Sequence, residues 1–145
     1  MIRLRPGVNE DAAALTRVFI VTRTQCWEFF EITYDFAIIK EILLRQMPHI
    51  WVAEVDGQIA GFMALEGNEL DRLYVLPKWH GSGVGRCLLL KAQELSPDEL
   101  WLWVFQKNMQ ARQFYRKHAF ALDHLTDGQG NMEREPDARY VWRQN

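Results

Sequence analysis

The chain has 145 residues, the size of one ordinary domain, and it is long enough to bury a substantial core. Apolar residues make up 48% and charged residues 25%, which excludes a disordered chain. A formal charge of −2 without a long basic run excludes an electrostatic footprint for nucleic acid or a membrane surface.

The N-terminal segment has no apolar stretch of the secretory kind, and no window approaches the roughly 18 continuous apolar residues of a membrane span. A soluble, cytoplasmic protein is expected. Cys26 and Cys87 are far apart and lack a CxxC companion, which fits a reduced setting better than a disulfide framework. His49, His118 and His124 share no metal-ligand spacing with one another or with a cysteine, so no metal site is predicted.

Ile2 to Arg5 alternates apolar and basic residues, a short strand closed by Pro6 and Gly7. Asn9 or Asp11 is placed to cap a helix carrying Leu15, Val18 and Phe19. A second helix is predicted from Tyr34 to Gln46, with Ile38, Ile42 and Leu43 on one face, ending before Pro48. Two β-rich runs, His49 to Val55 and Gln58 to Leu65, flank Asp56-Gly57, a pair that accepts the positive φ of a type I′ turn. Glu69 to Leu76 reads as a strand stopped by Pro77.

Gly85 to Leu95 then reads as a helix, with Cys87, Leu88, Leu90, Lys91 and Leu95 marking its turns. Leu100 to Phe105 is a strand, Met109 to Lys117 a helix, Phe120 to Leu125 a strand, and Tyr140 to Arg143 a last short strand. Hairpins mixed with strand–helix–strand units imply a mixed sheet in one domain spanning residues 1–145.

Two stretches carry chemistry. The first is a strand, a proline stop and a glycine-rich turn, Leu73-Tyr74-Val75-Leu76-Pro77-Lys78-Trp79-His80-Gly81-Ser82-Gly83-Val84-Gly85-Arg86, running into an apolar helix. Glycines let a ligand approach the backbone amides, and those amides with the positive end of a helix suit a pyrophosphate. A dinucleotide fingerprint would need glycine where Arg86 stands, and a Walker A loop would need Gly-Lys-Ser/Thr. The second is Asn108-x-x-Ala111-x-x-Phe114-Tyr115-x-Lys117-His118-Ala119-Phe120. Here Asn108 is a good N-cap, and Ala111, Phe114 and Tyr115 fall near one helix face.

Together these stretches resemble the GNAT (Gcn5-related N-acetyltransferase) family. His80 to Gly85 is similar to its signature Gln/Arg-x-x-Gly-x-Gly/Ala, with His80 in place of Gln or Arg. The second stretch is similar to Asn-x-x-Ala-x-x-Phe-Tyr-x-Lys-x-Gly-Phe, with Ala119 in place of glycine. The resemblance runs from about Trp51 to Phe120.

It implies a mixed, mostly antiparallel sheet of six to seven strands flanked by about four helices and splayed between two central parallel strands. It further implies acetyl-CoA as acyl donor. The donor would be held by Leu73, Tyr74 and Val75, by His80, Gly81, Ser82, Gly83, Val84, Gly85 and Arg86, and by Asn108, Tyr115 and Lys117. Tyr115 would be the general acid, and the Val75 N–H would stabilise the oxyanion. Glu69, or less strongly Asp71, would be the base, and Trp27, Phe30 and Tyr34 would wall the site of a small-molecule or peptide amine. A homodimer is left open. Two other classes remain open: a catalytically silent acyl-CoA-binding regulatory module, and a protein–protein adaptor, which leaves the glycine turn unexplained.

Overall fold

The computed structural model describes residues 1–27 and 33–144. Seven strands form one sheet in the order β1-β2-β3-β4-β5-β7-β6. In sequence they are β1 (Ile2–Pro6), β2 (Ile50–Val55), β3 (Gln58–Glu66), β4 (Glu69–Val75), β5 (Glu99–Phe105), β6 (Ala121–Leu125) and β7 (Asp137–Arg143). Every neighbouring pair is antiparallel except β4 and β5, which are parallel. The helices are α1 (Ala12–Val21), α2 (Phe36–Gln46), α3 (Val84–Leu95) and α4 (Met109–Lys117). Among the described residues none is long and apolar enough to cross a membrane.

The β2–β3 hairpin turns on Asp56 and Gly57 at φ 51° and 80°, the paired positive angles of a type I′ turn. The two faces of the sheet carry separate cores. Phe62 and Ala64 of β3 pack with Leu15, Val18 and Phe19 of α1 and Leu43 of α2. Met63 and Leu65 pack with Leu88 and Leu89 of α3 and Tyr115 of α4 on the opposite face. The period of two in a strand thus divides one apolar run between two helix layers.

Three local expectations change. Neither Asn9 nor Asp11 caps α1 with its side chain. A 3₁₀ turn over Asn9–Asp11 precedes the helix. The Asp11 carboxylate instead accepts the Val8 N–H and two bonds from Arg5, at 2.8 and 2.9 Å.

In α2 the buried face is Ile39, Leu43 and Gln46, while Ile38 and Ile42 turn outward. This helix is apolar on several sides, so its periodicity could not choose the face that packs. Asp35 caps it by accepting the Ile38 N–H at 3.0 Å. In α3 the buried face is Val84, Leu88, Leu89 and Ala92, and Leu90 and Leu95 are exposed.

Candidate active site

β4 and β5 pair only near their beginnings, with Glu69 opposite Trp101. Beyond that point they part, and a cleft of about 1210 Å³ opens between their later residues. Leu76 N–H donates to the Ala60 carbonyl at 2.8 Å. By the alternation of an antiparallel ladder, the N–H and C=O of the preceding Val75 therefore turn away from β3 and toward the gap. The Val75 carbonyl is bonded by Nε2 of His80 at 2.8 Å. A carbonyl has no proton to give, so Nε2 is the donor. The Val75 N–H remains facing the cleft.

After β4, a 3₁₀ turn over Pro77–Trp79 leads through the glycines into α3. Gly83 is the N-cap, with φ 92° in the left-handed region. A Cβ there would meet nothing nearer than Ile2 Cδ1 at 3.9 Å, so backbone angle rather than space demands the glycine. At Gly85 neither angle nor space demands the glycine, since the contacts a Cβ would make are of ordinary length. It lies in the first turn of α3, where a Cβ would touch the Phe114 ring at 3.4 Å and Val75 Cγ2 at 3.8 Å.

The first amide of this segment to find a carbonyl one turn back is Cys87, on Gly83 at 3.0 Å. The N–H groups of Val84, Gly85 and Arg86 have no such partner within the helix, and all three residues line the cleft. With the positive helix end they make an anion cradle, continued by Gly81 and Gly83. Ser82 is not part of it. Its N–H and its hydroxyl both go to the Trp79 carbonyl.

On the facing wall, Asn108 Oδ1 caps α4 by accepting the Ala111 N–H at 3.2 Å. Tyr115 is 7% exposed and lies edge-on to Phe114 and Phe120 at 5.3 and 5.4 Å between ring centres. Burial first, and then the neighbouring Tyr74, push its hydroxyl well above the ordinary phenol range. It keeps its proton and remains a donor. Lys117 and Arg86 bring positive charge to this end, and Leu73 and Tyr74 complete the wall along β4.

The other predicted residues are distributed unevenly. Asp71 lines the cleft, and its carboxylate accepts from Gln46 Nε2 at 2.7 Å. Glu69 is not among the lining residues, because it begins β4 at the point where the strands still pair. Burial, then the charges of Asp71 and Glu66, raise its pKa. Trp27 lines the cleft, with its ring edge-on to Phe105 at 5.5 Å. Tyr34 is set behind the wall, its hydroxyl accepting from Arg23 at 3.3 Å. Phe30 lies outside the described residues.

Sequence reasoning missed Arg23, on a π-helical turn over Thr22–Cys26. Its guanidinium lies 4.7 Å from the Phe19 ring centre and 4.8 Å from that of Trp27. It donates to the Tyr74 hydroxyl at 3.1 and 3.3 Å and to Glu133 at 3.2 Å. Glu133 sits on the connection between β6 and β7 and also lines the cleft, so this ion pair joins two remote segments across one end of it. Beside Arg23, the Thr22 hydroxyl oxygen is buried without a hydrogen-bond partner among the described residues.

The model of the acetyltransferase (GNAT) family matches residues 16–120. Peptidyl-lysine N-acetyltransferase YiaC of Escherichia coli K12 is 38% identical over 128 residues, covering 86% of this chain and 84% of that one. The uncharacterized N-acetyltransferase Rv2669 of Mycobacterium tuberculosis is 34% identical over 130 residues, covering 79% and 83%. Among solved structures, apo YjaB from Escherichia coli superposes with a TM-score of 0.81 at 26% identity over 97% of both chains. The PaiA N-acetyltransferase of Thermoplasma acidophilum, in complex with coenzyme A, has the same fold, with a TM-score of 0.78 at 22% identity over 99% of both. The chain belongs to the acetyltransferase (GNAT) family and is an acyltransferase.

Proposed function

We propose that the protein transfers the acetyl group of acetyl-CoA to a primary amine by direct attack within a ternary complex. The observation that carries this reading is the set of groups converging on the gap between β4 and β5. The Val75 N–H, the amides at the start of α3 and the buried, protonated Tyr115 all belong to residues lining this one cleft. The amides of Gly81 and of Gly83 to Arg86 hold the pyrophosphate, and Arg86 and Lys117 offset its charge. The thioester carbonyl then lies at the splay.

The acceptor arrives at the end built by Arg23 and Glu133. Its ammonium first loses a proton to Asp71, directly or through water, with Glu69 set back behind it. The amine attacks the thioester carbon, the tetrahedral oxygen accepts a hydrogen bond from the Val75 N–H, and the carbon–sulfur bond breaks as Tyr115 protonates the departing thiolate. The proton still on the nitrogen leaves through water to restore the Tyr115 hydroxyl. Several relatives are named for acting on peptidyl-lysine. The carboxylates of Asp71 and Glu133, both lining the cleft, suit a lysine ammonium in the same way.

The test is release of free thiol from acetyl-CoA against lysine peptides and a panel of small amines. Turnover with an amine and none without it supports the reading. Acetyl-CoA binding without turnover on any amine replaces it with a regulatory acyl-CoA-binding module. The base is checked by the pH–rate profile. A carboxylate base must be ionised, so the rate falls as pH drops through its pKa. Asp71→Asn removes this acidic limb and Glu69→Gln keeps it, whereas the reverse outcome makes Glu69 the base.

A further inference from the structure

We propose that His80 is a positioning residue. Its ring takes the place of the strand partner that Val75 loses where β5 departs, and so fixes the peptide group that meets the oxyanion. The inference rests on the reading of the Val75 N–H as oxyanion donor. Where the strands part, both the N–H and the C=O of Val75 face a gap rather than a neighbouring strand. In a continuing parallel sheet both would be held by β5. Here, among the described residues, only the carbonyl is held, by Nε2 of His80 at 2.8 Å. One group is thereby satisfied and the other left open for a ligand, and the pair cannot rotate without breaking the bond.

The tether is short and stiff. His80 follows Val75 by five residues. The chain between them contains Pro77 and two backbone bonds, Trp79 N–H to Leu76 at 2.9 Å and His80 N–H to Pro77 at 3.1 Å. The residue after His80 is Gly81, the first of the anion cradle, so one short segment links the cradle to the oxyanion donor. Nδ1 of His80 makes no hydrogen bond among the described residues, and the ring is on the surface, so its bond to Val75 is the contact that fixes its orientation. The requirement is a side-chain N–H donor of suitable reach, which a glutamine amide also supplies.

His80→Ala and His80→Gln are compared with the unaltered protein by thiol-release kinetics, acetyl-CoA calorimetry and the NMR shift of the Val75 amide. His80→Ala is expected to lower kcat by about 10- to 100-fold, the scale of a misplaced catalytic group, and to change acetyl-CoA affinity by less than about threefold. The Val75 amide shifts, and His80→Gln recovers most of both losses.

Three results overturn the proposal: kcat within about twofold in His80→Ala, affinity lost about tenfold with kcat unchanged, or His80→Gln as impaired as His80→Ala. The second would make the ring a phosphate ligand. If the unaltered protein releases no thiol with any amine, the acetyl-transfer reading is what fails. The NMR arm still decides the tether, because an unmoved Val75 amide in His80→Ala removes it.

Discussion

At the α3 end of the cleft the groups facing the ligand are backbone amides of neighbouring residues, Gly81 and Gly83 to Arg86, shaped by two left-handed glycines, Gly81 and Gly83. At the other end they are side chains, Arg23 and Glu133, which stand 110 residues apart in the chain and meet through an ion pair walled by aromatic rings. The first end is a local device that stays intact as long as its backbone angles do. The second exists only when the whole fold has brought the π-helical turn and the β6–β7 connection together. A change of backbone conformation should therefore disable one end and leave the other, and a change of charge should do the reverse.

Tyr115, on the wall opposite the glycine turn, gives the largest expected effect. Tyr115→Phe removes a proton donor while keeping a buried ring packed on Phe114 and Phe120. We expect kcat to fall by about a hundredfold or more, within the range of general acid catalysis, with acetyl-CoA affinity nearly unchanged. Single-turnover thiol release and calorimetry on the same samples check both halves. A matching loss of affinity would mean that the hydroxyl binds the donor instead of protonating it.

Gly83→Val comes next and separates the two ends directly. A β-branched residue is poorly tolerated at φ 92°, so the first turn of α3 must reorient and take its free amides with it. Acetyl-CoA affinity should drop by about 10- to 100-fold, which is about 1.4 to 2.8 kcal/mol of binding free energy. The Arg23–Glu133 end should keep its structure, seen as unchanged NMR shifts of the residues around it. Binding within about threefold of the original would remove the cradle from this turn.

Glu133→Gln probes the other end with a smaller change. The amide keeps the shape of the carboxylate but not its charge, and Arg23 retains its bonds to Tyr74 and Tyr34. The KM for a cationic acceptor should rise about tenfold while acetyl-CoA affinity stays the same, the signature of lost ground-state binding of one substrate. An unaltered KM would confine the ion pair to a structural role.

The same contrast explains what could be read in the sequence. The succession of strands and helices, the glycine turn into α3 and the cap of α4 were legible because each is written in neighbouring residues: Pro77, Gly83, and Asn108 three positions before Ala111. Arg23 was not, because a lone arginine after the apolar run of α1 reads like any solvated residue. Its partners Tyr74 and Glu133 come from remote strands and loops. Glu69 was preferred over Asp71 in the sequence for a related reason. Both lie on β4, and only the point at which β5 departs distinguishes a closed position from an open one. The outward turn of Ile38 and Ile42 was hidden because apolar residues surround much of α2.

Ala119 offers the smallest effect and tests the local device at the end of α4. The residue stands where the resemblance calls for glycine, and the backbone keeps the conformation glycine would adopt, with φ 70°. The helix closes with Phe120 N–H on the Tyr115 carbonyl at 3.0 Å and Ala119 N–H on the Arg116 carbonyl at 3.1 Å. These are the paired bonds of a Schellman ending, and the contact of Phe120 with Tyr115 completes it. The bonds and the ring contact hold an alanine in a region where its Cβ costs about 1 kcal/mol or somewhat more. Ala119→Gly relieves that strain in the folded state. It also gives the unfolded chain more freedom, which takes back about 0.4–1 kcal/mol. The net expectation is a gain of about 0.5 kcal/mol, read as a higher denaturant midpoint at an unchanged slope, with kcat preserved because Tyr115 does not move. A loss of stability would mean that the Cβ makes compensating contacts in the folded protein, and that the strain assigned to this helix exit is not there.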